Sequence, residues 1–461
     1  MSTTTSAALI TARLDRLPVT SVTWKMILLI SLGGCFEIYD IAFTAFVAPG
    51  LYAAKIFTPT TVSFFGMTGL ASFIAAFFMG LFLGTIVFSY AADKFGRRSI
   101  FTFALVWYSI ATLTLAFQST PNTLNFWRFV SGIGVGVELV TIDTYLAELV
   151  PKDMRGKAFG FQQGIGAITT PLVALLGWLL VPLSPFGIEG WRWVVALGSV
   201  GAICVWWIRL ALPESPRWLA QQGRFEEAEQ IMSKMEAQVR ARIGRELPPI
   251  EAPEAEEEGP GSYLEVFSPA YRGRTLMLTV FQLFQTIGYY GFVNWVPTLL
   301  LAKGIHVTQS LQYTFVMALA DPGWPMVSMV LADWMERKWQ IVVSAGGIAI
   351  VGILFSQQET AIALIVLGAI MTMCTRWLSY SFHAYQTELF PTRIRARAVG
   401  FTYSWSRISV VFTGFIIAWI LRNYGVTGVF AFIAAAMVVV MITIGVFGPR
   451  TNRLALEAIS R

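Results

Sequence analysis

The sequence predicts an all-α integral membrane protein whose twelve transmembrane helices form two six-helix halves. The first observation is composition, since 56% of the residues are hydrophobic and 13% are charged, whereas a soluble domain carries about 25% charged residues. The second is length, because a spanning helix needs roughly 20 mostly apolar residues and the chain offers twelve such runs. The third is a pair of charged motifs that occurs twice.

The apolar runs follow one another with short polar gaps, except between the sixth and the seventh. Several are longer than a bilayer requires, so we expect them to tilt or to protrude. The runs cover residues 24–49, 61–90, 99–117, 124–149, 157–181, 191–212, 273–301, 309–332, 340–357, 360–385, 396–420 and 425–448. The first 23 residues are polar and lead into a full-length run, which predicts no cleaved signal peptide.

A charged stretch separates the two halves. It contains the helical segment "FEEAEQIMSKMEAQVRARI" and then "PPIEAPEAEEEGPG", a linker of Pro, Glu and Gly. The predicted domains are a cytoplasmic N-terminal tail (1–23), an N-terminal six-helix bundle (24–212), a cytoplasmic connector (213–272), a C-terminal six-helix bundle (273–449) and a cytoplasmic C-terminal tail (450–461).

Basic residues are distributed unequally between the two sides of the membrane. With twelve alternating spans, one set of short loops carries Lys94, Arg97, Arg98, Lys152, Arg155, Lys157, Arg337, Lys338, Arg393, Arg395 and Arg397. The opposite set carries only Lys55, Lys303 and Arg422. Cytoplasmic loops are the ones enriched in Lys and Arg, so the first set and both termini are predicted to be cytoplasmic. The net charge of +6 therefore reflects topology and not a nucleic-acid surface.

The two halves repeat two motifs. "AADKFGRR" (91–98) recurs as "LADWMERK" (331–338), and "ELVPKDMRGKAFG" (148–160) recurs as "ELFPTRIRARAVG" (388–400). Both pairs are separated by 240 residues, which indicates a duplication. Transporters built from repeats hold their substrate near the midplane of the membrane, between the repeats.

These motifs resemble those of the major facilitator superfamily. Asp93, Lys94, Gly96, Arg97 and Arg98 match its loop pattern D-(R/K)-x-G-R-(R/K), although Glu336 replaces the glycine in the second copy. "RFVSGIGVG" and "PESPRWL" are similar to the sugar-porter branch, while "YQTELFPTRIRARAVGF" and "SWSRI" are similar to carriers of organic ions, aromatic acids and metabolites. The resemblance implies a secondary transporter with inverted repeats that works by alternating access.

Charged residues at the cytoplasmic helix ends are the predicted gate. Acids and bases recur there in both halves, so we expect salt bridges that are intact in one access state and broken in the other. The alternative is topogenic charge on solvated loop ends. The predicted gating residues are Asp93, Arg97, Glu148, Arg155, Asp333, Glu388 and Arg395.

Four charged residues of the N-terminal half are the predicted proton-coupling site. Burying a charge within a span is costly, so such residues are functional candidates. By resemblance, Asp40 matches the aspartate of the sugar-porter "GYD" motif and Arg128 opens "R-x-x-x-G-x-G-x-G". That pair carries the coupling proton in proton-coupled members; the alternative is a permanent structural ion pair. Glu37, if it approaches Glu138, is a second proton site, because two neighbouring acids resist double ionisation; the alternative is a packing hydrogen bond.

The C-terminal half carries charge of the opposite sign. Arg376 and Arg407 lie near the middle of the tenth and eleventh spans, and neither helix has a deep acid to neutralise them. Arginine binds a carboxylate or sulfonate through two parallel hydrogen bonds, which predicts a small organic anion as substrate. The alternative is that both arginines pair with acids of the N-terminal half and leave the site to a neutral solute.

Polar and aromatic residues complete the predicted substrate site, although each is as compatible with core packing as with ligand contact. They are Gln162, Gln163, Gln285, Tyr289, Tyr290, Asn294, His383 and Trp405. His383 has the further alternative of taking part in proton coupling, since histidine titrates near neutral pH.

The sequence therefore predicts a proton-coupled symporter that imports a small organic anion across an inner membrane. Its predicted partners are the substrate, protons and the lipid bilayer; it is expected to act as a monomer, without cofactor, metal or nucleic acid. An enzyme is not predicted, because no metal-ligand cluster or P-loop appears, and the glycines of "SGIGVG" are predicted to pack helices. The alternatives are a sugar or polyol symporter and an organic-cation or drug efflux antiporter.

Overall fold

The computed structural model describes residues 3–58, 61–63, 67–201, 211–250, 263–323 and 335–451. In the first half the helices are α1 (Thr3–Asp15), α2 (Ser21–Ala53), α3 (Gly69–Phe95), α4 (Arg97–Ala116), α5 (Pro121–Leu149), α6 (Arg155–Leu180) and α7 (Gly190–Gly198). The connector contains α8 (Pro216–Gln221) and α9 (Phe225–Ile243). The second half contains α10 (Arg272–Val293), α11 (Val296–Ala302), α12 (Val307–Ala318), α13 (Arg337–Gln357), α14 (Ala361–Glu388) and α15 (Thr392–Phe447).

Local sequence signals explain where several helices begin. The hydroxyl of Thr20 accepts a hydrogen bond from the backbone of Val22 at the start of α2, and Thr120 caps α5 in the manner of helix N-caps. Pro121 then occupies the first turn of α5, where its missing N–H costs nothing. These signals start the apolar helices close to the predicted boundaries.

The observed helices correspond to the twelve predicted spans, with three differences. The second span begins at Gly69 and not at 61, since residues 62–63 (β1) and 67–68 (β2) form a short antiparallel hairpin. The seventh span is split into α10 and α11. The last two spans are one continuous helical stretch, α15, broken at Gly425 with a φ of 67°. Parts of the sixth and eighth spans lie outside the described residues.

Within the described ranges, nine helices are long and apolar enough to cross a membrane.

Close packing inside the first half depends on glycine. A Cβ at Gly80 or Gly84 of α3 would collide with the backbone of α5, and one at Gly132 or Gly136 of α5 would collide with the backbone of α3. The predicted packing role of "SGIGVG" is therefore confirmed.

The two halves meet mainly at the end opposite the basic loops, which we call the closed end. There α3 packs against α15, α6 against α12 and α2 against α11. The ring of Trp178 stacks on Phe315 across the halves, with centroids 5.7 Å apart, and that of Phe78 meets Tyr290 edge-on at 4.9 Å. Toward the other end, which we call the basic end, side chains such as Gln163 and His383 are exposed.

The N-terminal segment contains a helix that docks on the connector. Leu14 of α1 is fully buried, and Arg13 forms an ion pair with Glu236 of α9 at 2.9 Å. Asp15 accepts a hydrogen bond from Arg217 of α8 at 2.6 Å. The helix predicted in "FEEAEQIMSKMEAQVRARI" is confirmed as α9. The domain boundaries themselves stay a prediction.

Candidate functional site

Asp40 and Arg128 form a fully buried ion pair between α2 and α5. Both residues have 0% exposure, and Arg128 Nη1 donates to Asp40 Oδ2 at 2.9 Å. The other carboxylate oxygen of Asp40 accepts a hydrogen bond from Thr112 of α4 at 2.8 Å. The predicted pairing of Asp40 with Arg128 is therefore observed; its role in proton coupling stays a prediction.

The rest of the Arg128 guanidinium is held by backbone, hydroxyl and aromatic groups. Its Nη2 donates to the main-chain carbonyl of Asp40 at 2.6 Å and to the Thr44 hydroxyl. The guanidinium carbon lies 4.3 Å from the ring centre of Phe43 and 3.9 Å from that of Phe77. Aromatic faces attract a cation most strongly in such a water-poor setting. The charge of Arg128 is thus stabilised from several sides besides the carboxylate.

Glu138 is a fully buried acid directly against the first span. A Cβ added at Gly33 of α2 would collide with the Phe101 ring and would lie 3.4 Å from Glu138 Oε1, so the carboxyl group packs directly against α2. Among the described residues, no hydrogen bond of ordinary geometry reaches either oxygen of Glu138 or the Tyr108 hydroxyl, although these two groups lie close enough to interact with each other. Glu37 is 8% exposed and interacts electrostatically with Glu138. Glu37 and Glu138 are thus electrostatic neighbours, and their role as a second proton site stays a prediction.

Arg407 lies in α15 with 5% exposure and is bound by tyrosines. Its Nη1 donates to the Tyr290 hydroxyl at 3.0 Å and its Nη2 to the Tyr403 hydroxyl at 3.2 Å. Among the residues that the structure describes, no carboxylate is within ion-pair distance of Arg407, although Glu37 acts on it electrostatically. The charge of Arg407 is therefore solvated by neutral groups in this conformation.

Arg376 differs from the sequence-based expectation, because an acid neutralises it. Its Nε and Nη2 donate to the two carboxylate oxygens of Asp321 at 3.0 and 2.7 Å. Asp321 follows α12 and is 3% exposed. The expectation of an unneutralised Arg376 considered only acids on the arginine's own helix, and it is wrong because the acid comes from the eighth span. The pairing with N-terminal acids, left open as an alternative, is not observed for Arg376 either.

Arg376 also touches the opposite half and an aromatic pair. Its Nη2 lies 3.4 Å from the Thr170 hydroxyl of α6, and its guanidinium lies 5.6 Å from the ring centre of Tyr289. The Tyr289 ring meets that of Tyr290 edge-on at 4.9 Å. Because Tyr290 binds Arg407, the two arginines flank one aromatic pair.

Three buried glutamines form a chain beside this cluster. Gln285 donates to Gln282 at 3.0 Å, and Gln282 donates to Gln386 of α14 at 3.0 Å. Only Gln285 of these was predicted. The chain joins α10 to α14 through amide groups, which are also suited to binding hydroxyl groups.

The remaining predicted pocket residues lie at different depths. Asn294 is 2% exposed near the closed end. Gln162 donates to Asp143 at 3.4 Å, and the exposed His383 binds the Ser379 carbonyl through Nδ1 at 2.7 Å. The indole N–H of Trp405 is buried without a partner in the described ranges. The His383 ring also meets that of Tyr403 at 5.8 Å, and Tyr403 binds Arg407. The substrate roles of these residues stay predictions.

In the first half the predicted gate contains a salt bridge between α4 and α5. Arg97 Nη2 lies 3.0 Å from Glu148 Oε1. The Glu214 carboxylate of "PESPRWL" accepts hydrogen bonds from the backbone N–H groups of Arg97 and Arg98 at 3.0 Å. Gly96 allows this approach, because its φ of 95° disfavours other residues and a Cβ there would collide with the Glu214 carboxylate.

In the second half the same salt bridge recurs at the duplicated positions. Arg337 Nε lies 3.0 Å from Glu388 Oε1, and both residues follow their first-half counterparts by 240 positions. Arg395 donates to the Phe390 carbonyl at 3.2 Å. Both salt bridges join helices of the same half, so in this conformation they stabilise each half separately.

Of the predicted gating residues whose side chains the structure describes, Arg155 and Arg395 form no salt bridge with another described residue. Arg155 Nε is buried without a partner among the described residues. Asp333 and the side chain of Asp93 lie outside the described part of the chain. Their roles stay predictions.

Several residues of the site escaped the sequence analysis. Asp321 was overlooked although "ALADPG" places an acid within an apolar run. Tyr403 lies four residues before Arg407, a spacing that brings two side chains to one helix face. Thr112 carries no sequence signal, since isolated threonines are common in apolar helices.

Comparisons with known proteins agree with this architecture. The family described as "Sugar (and other) transporter" matches residues 26–461. The putative metabolite transport protein YyaJ of Bacillus subtilis (strain 168) is 30% identical over 95% of each chain. The niacin transporter NiaP of Acinetobacter baylyi is 25% identical over 97% of this chain and 99% of that protein.

Among solved structures, the partially occluded inward open conformation of the xylose transporter XylE from E. coli matches with a TM-score of 0.75 and 20% identity. The match covers 95% of this chain and all of that one (100%), which shows a shared fold. A twelve-helix architecture is therefore confirmed, and a transporter is indicated instead of an enzyme. The chain belongs to the sugar (and other) transporter family of the major facilitator superfamily.

Proposed function

We propose that this protein imports a small organic anion, a carboxylate or sulfonate, together with protons by alternating access. The observation that carries the proposal is Arg407: a buried guanidinium near the middle of a span, with two tyrosine hydroxyls and no carboxylate as close partners in the described ranges. Burying a charge without a counter-charge is unfavourable. A bound anion would supply the missing counter-charge through two parallel hydrogen bonds.

Two further findings support an anion. The relative NiaP is named as a niacin transporter, and niacin is an aromatic carboxylic acid. Tyr290 and Tyr403 contact the Arg407 guanidinium, and the ring of Tyr289 meets that of Tyr290. Such rings provide apolar faces with polar edges. Arg407 is therefore the proposed anion-binding residue, with the other predicted pocket residues as secondary contacts.

The proposed proton sites lie in the first half. An ionised carboxylate without well-formed hydrogen bonds is too costly to bury. Glu138 has no hydrogen bond of ordinary geometry among the described residues and has the Tyr108 hydroxyl beside it, so it is proposed to hold a proton. Glu37 is its electrostatic neighbour. Asp40 is proposed to take a proton when it separates from Arg128.

The proposed orientation follows from charge. Cytoplasmic loops are rich in Lys and Arg, so the basic end faces the cytoplasm and both termini are cytoplasmic in an inner membrane. Because the halves meet at the closed end, the conformation is open to the cytoplasm. The salt bridges Arg97–Glu148 and Arg337–Glu388 hold each half together in this conformation. The connector and the docked α1 then lie on the cytoplasmic side.

The test is a thermal-shift screen of the purified protein against small carboxylates, sulfonates, sugars and amines. A ligand that binds the folded state raises its stability by mass action. We expect carboxylates or sulfonates to stabilise the wild type, Arg407→Gln to lose that stabilisation, and Arg422→Gln, an exposed arginine on the same helix, to keep it. Unchanged binding by Arg407→Gln would place the anion elsewhere.

A second candidate is proton-coupled transport of a sugar or polyol. The glutamine chain of Gln282, Gln285 and Gln386 favours it, because amide groups both donate to and accept from hydroxyl groups. A sugar that stabilises the wild type equally with and without Arg407 would favour this candidate. An amine that stabilises it through Glu37 and Glu138 would instead indicate the efflux alternative.

A further inference from the structure

The ion pair of Asp321 and Arg376 lies at the interface between the two halves. Both carboxylate oxygens are bound by the guanidinium, at 3.0 and 2.7 Å. The Asp321 side chain is 3% exposed and that of Arg376 is 20% exposed. The guanidinium also reaches the Thr170 hydroxyl of the other half at 3.4 Å. A surface ion pair contributes little, but this pair is shielded from water at the depth of the proposed substrate site.

The pair lies next to the proposed anion-binding residue. Arg376 is over the ring of Tyr289, Tyr289 contacts Tyr290, and Tyr290 accepts a hydrogen bond from Arg407. A single aromatic pair thus separates two guanidinium groups. One of them is satisfied by an internal carboxylate, and the other is not.

The charges of this region therefore leave one guanidinium unneutralised. Asp40 neutralises Arg128, Asp321 neutralises Arg376, and Arg407 has no ion-pair partner among the described residues. Without Asp321, two positive groups would face the same aromatic pair. A site with two such groups favours a dianion, whereas a site with one favours a monoanion, because like charges repel strongly where water is scarce.

We propose that Asp321 is a specificity-determining residue that sets the substrate charge at one: it occupies the guanidinium of Arg376 as an internal carboxylate, so that the site accepts a monoanion and rejects a dianion. This inference rests on the proposed anion site at Arg407. Arg376 was predicted from the sequence as a direct substrate ligand. On this inference it binds Asp321 instead when no substrate is present. A second substrate carboxylate would find the guanidinium taken and would be repelled by Asp321.

The test compares isosteric ligands that differ only in charge. Succinamate and succinate form one pair, and 4-carbamoylbenzoate and terephthalate form another; in each the first is a monoanion and the second a dianion at pH 7.5. Binding to the purified protein is measured by calorimetry for the wild type, Asp321→Asn and the double variant Asp321→Asn with Arg376→Gln. Asp153→Asn is the control, since Asp153 is exposed in the short 3-10 helix Lys152–Met154 and its loss changes the net charge equally.

We expect the wild type and the control to prefer the monoanion. In Asp321→Asn the ratio of the two affinities should shift toward the dianion on the order of tenfold. That is the effect of one added charge at an assumed separation of about 10 Å and an effective dielectric constant of about 20. The double variant should return to the wild-type ratio, because both charges are then gone. An unchanged ratio in Asp321→Asn, with monoanion binding that Arg407→Gln abolishes, would overturn this inference and leave the proposed function intact.

Other outcomes are equally decisive. If neither member of either pair binds the wild type, the proposed anion site and this inference both fail. If Asp321→Asn does not fold, the neutral double variant and Arg376→Gln alone decide the matter. Arg376→Gln leaves Asp321 as an uncompensated negative charge, so it should weaken monoanion binding about tenfold relative to the double variant. Equal affinities in those two variants would refute a charge-setting role.

Discussion

Replacing Asp40 by asparagine separates the two roles that its ion pair with Arg128 could have. The asparagine side chain has nearly the same shape and retains an oxygen for the Thr112 hydroxyl, 2.8 Å away in the wild type. It cannot be ionised, so it neither neutralises Arg128 nor exchanges a proton. If Asp40 couples proton movement to transport, Asp40→Asn should lose proton-driven accumulation. If the ion pair is only structural, the variant should lose stability alone.

The expected stability change follows from what Arg128 retains. Removing one partner of a buried ion pair costs about 3–5 kcal/mol. Arg128 keeps the Asp40 carbonyl at 2.6 Å and the faces of Phe43 and Phe77, and a desolvated cation–π contact is worth about 2 kcal/mol. We therefore expect a loss near 3 kcal/mol, the lower end. The double variant with Arg128→Gln should be more stable than either single variant, since a neutral replacement of both partners costs little.

The assay uses proteoliposomes with the best carboxylate from the thermal-shift screen. Asp40→Asn should lose uptake driven by a pH gradient and keep exchange of internal for external substrate, because exchange needs no net proton movement. Thr112→Val is the matched control, as it removes one hydrogen bond to Asp40 and leaves the charge; it should retain both activities. Full gradient-driven accumulation by Asp40→Asn would refute the coupling role.

Three further predictions concern the cytoplasmic face. Gly96→Ala should lower the thermal unfolding midpoint more than Gly223→Ala. Both glycines have a positive φ, so an alanine at either adds a strain of about 1–2 kcal/mol, but only at Gly96 would the new Cβ also collide with a carboxylate, that of Glu214. Equal midpoints for the two variants would contradict that contact. Burial alone would raise the pKa of Glu236, but hydrogen bonds from Arg13 and Arg16 lower it. The docking of α1 through Arg13 should therefore hold at pH values above the ordinary glutamate pKa and weaken as the pH falls through the lowered pKa of Glu236. Proteolytic release of α1 measures this, and release already at neutral pH would contradict it. The cysteine of Lys94→Cys should react with a membrane-impermeant reagent only from the cytoplasmic side. Labelling of this cysteine in intact cells would contradict the predicted topology.

Much of the fold follows from the sequence because a bilayer permits few solutions. Spanning segments must satisfy their own backbone hydrogen bonds, so long apolar runs become helices. The exact ends were less predictable. The sequence of residues 62–68 is apolar enough to extend the predicted second span, and the helix begins only at Gly69, whose φ is 59°.

The site was predictable where both partners carry strong signals. Asp40 with Arg128, and Glu37 with Glu138, are charged residues in apolar runs, and their meeting needs only that the first and fourth spans be neighbours. The partner of Arg376 was missed because Asp321 belongs to another helix, and periodicity along one helix says nothing about which helices are adjacent. Docking of α1 was missed for the same reason.

The separation of charge between the halves supports a mechanism in which proton and anion are bound by different halves. The proposed proton sites, Asp40 and Glu138, lie on α2 and α5, whereas the proposed anion ligand Arg407 lies on α15. Glu37 interacts electrostatically with Arg407, so an ionised Glu37 would compete with a substrate anion for the same positive charge. Protonation of Glu37 removes that competition, and the bound anion in turn disfavours proton loss by reciprocal linkage. On this mechanism neither ligand binds well alone when the cavity closes, which is the condition for symport.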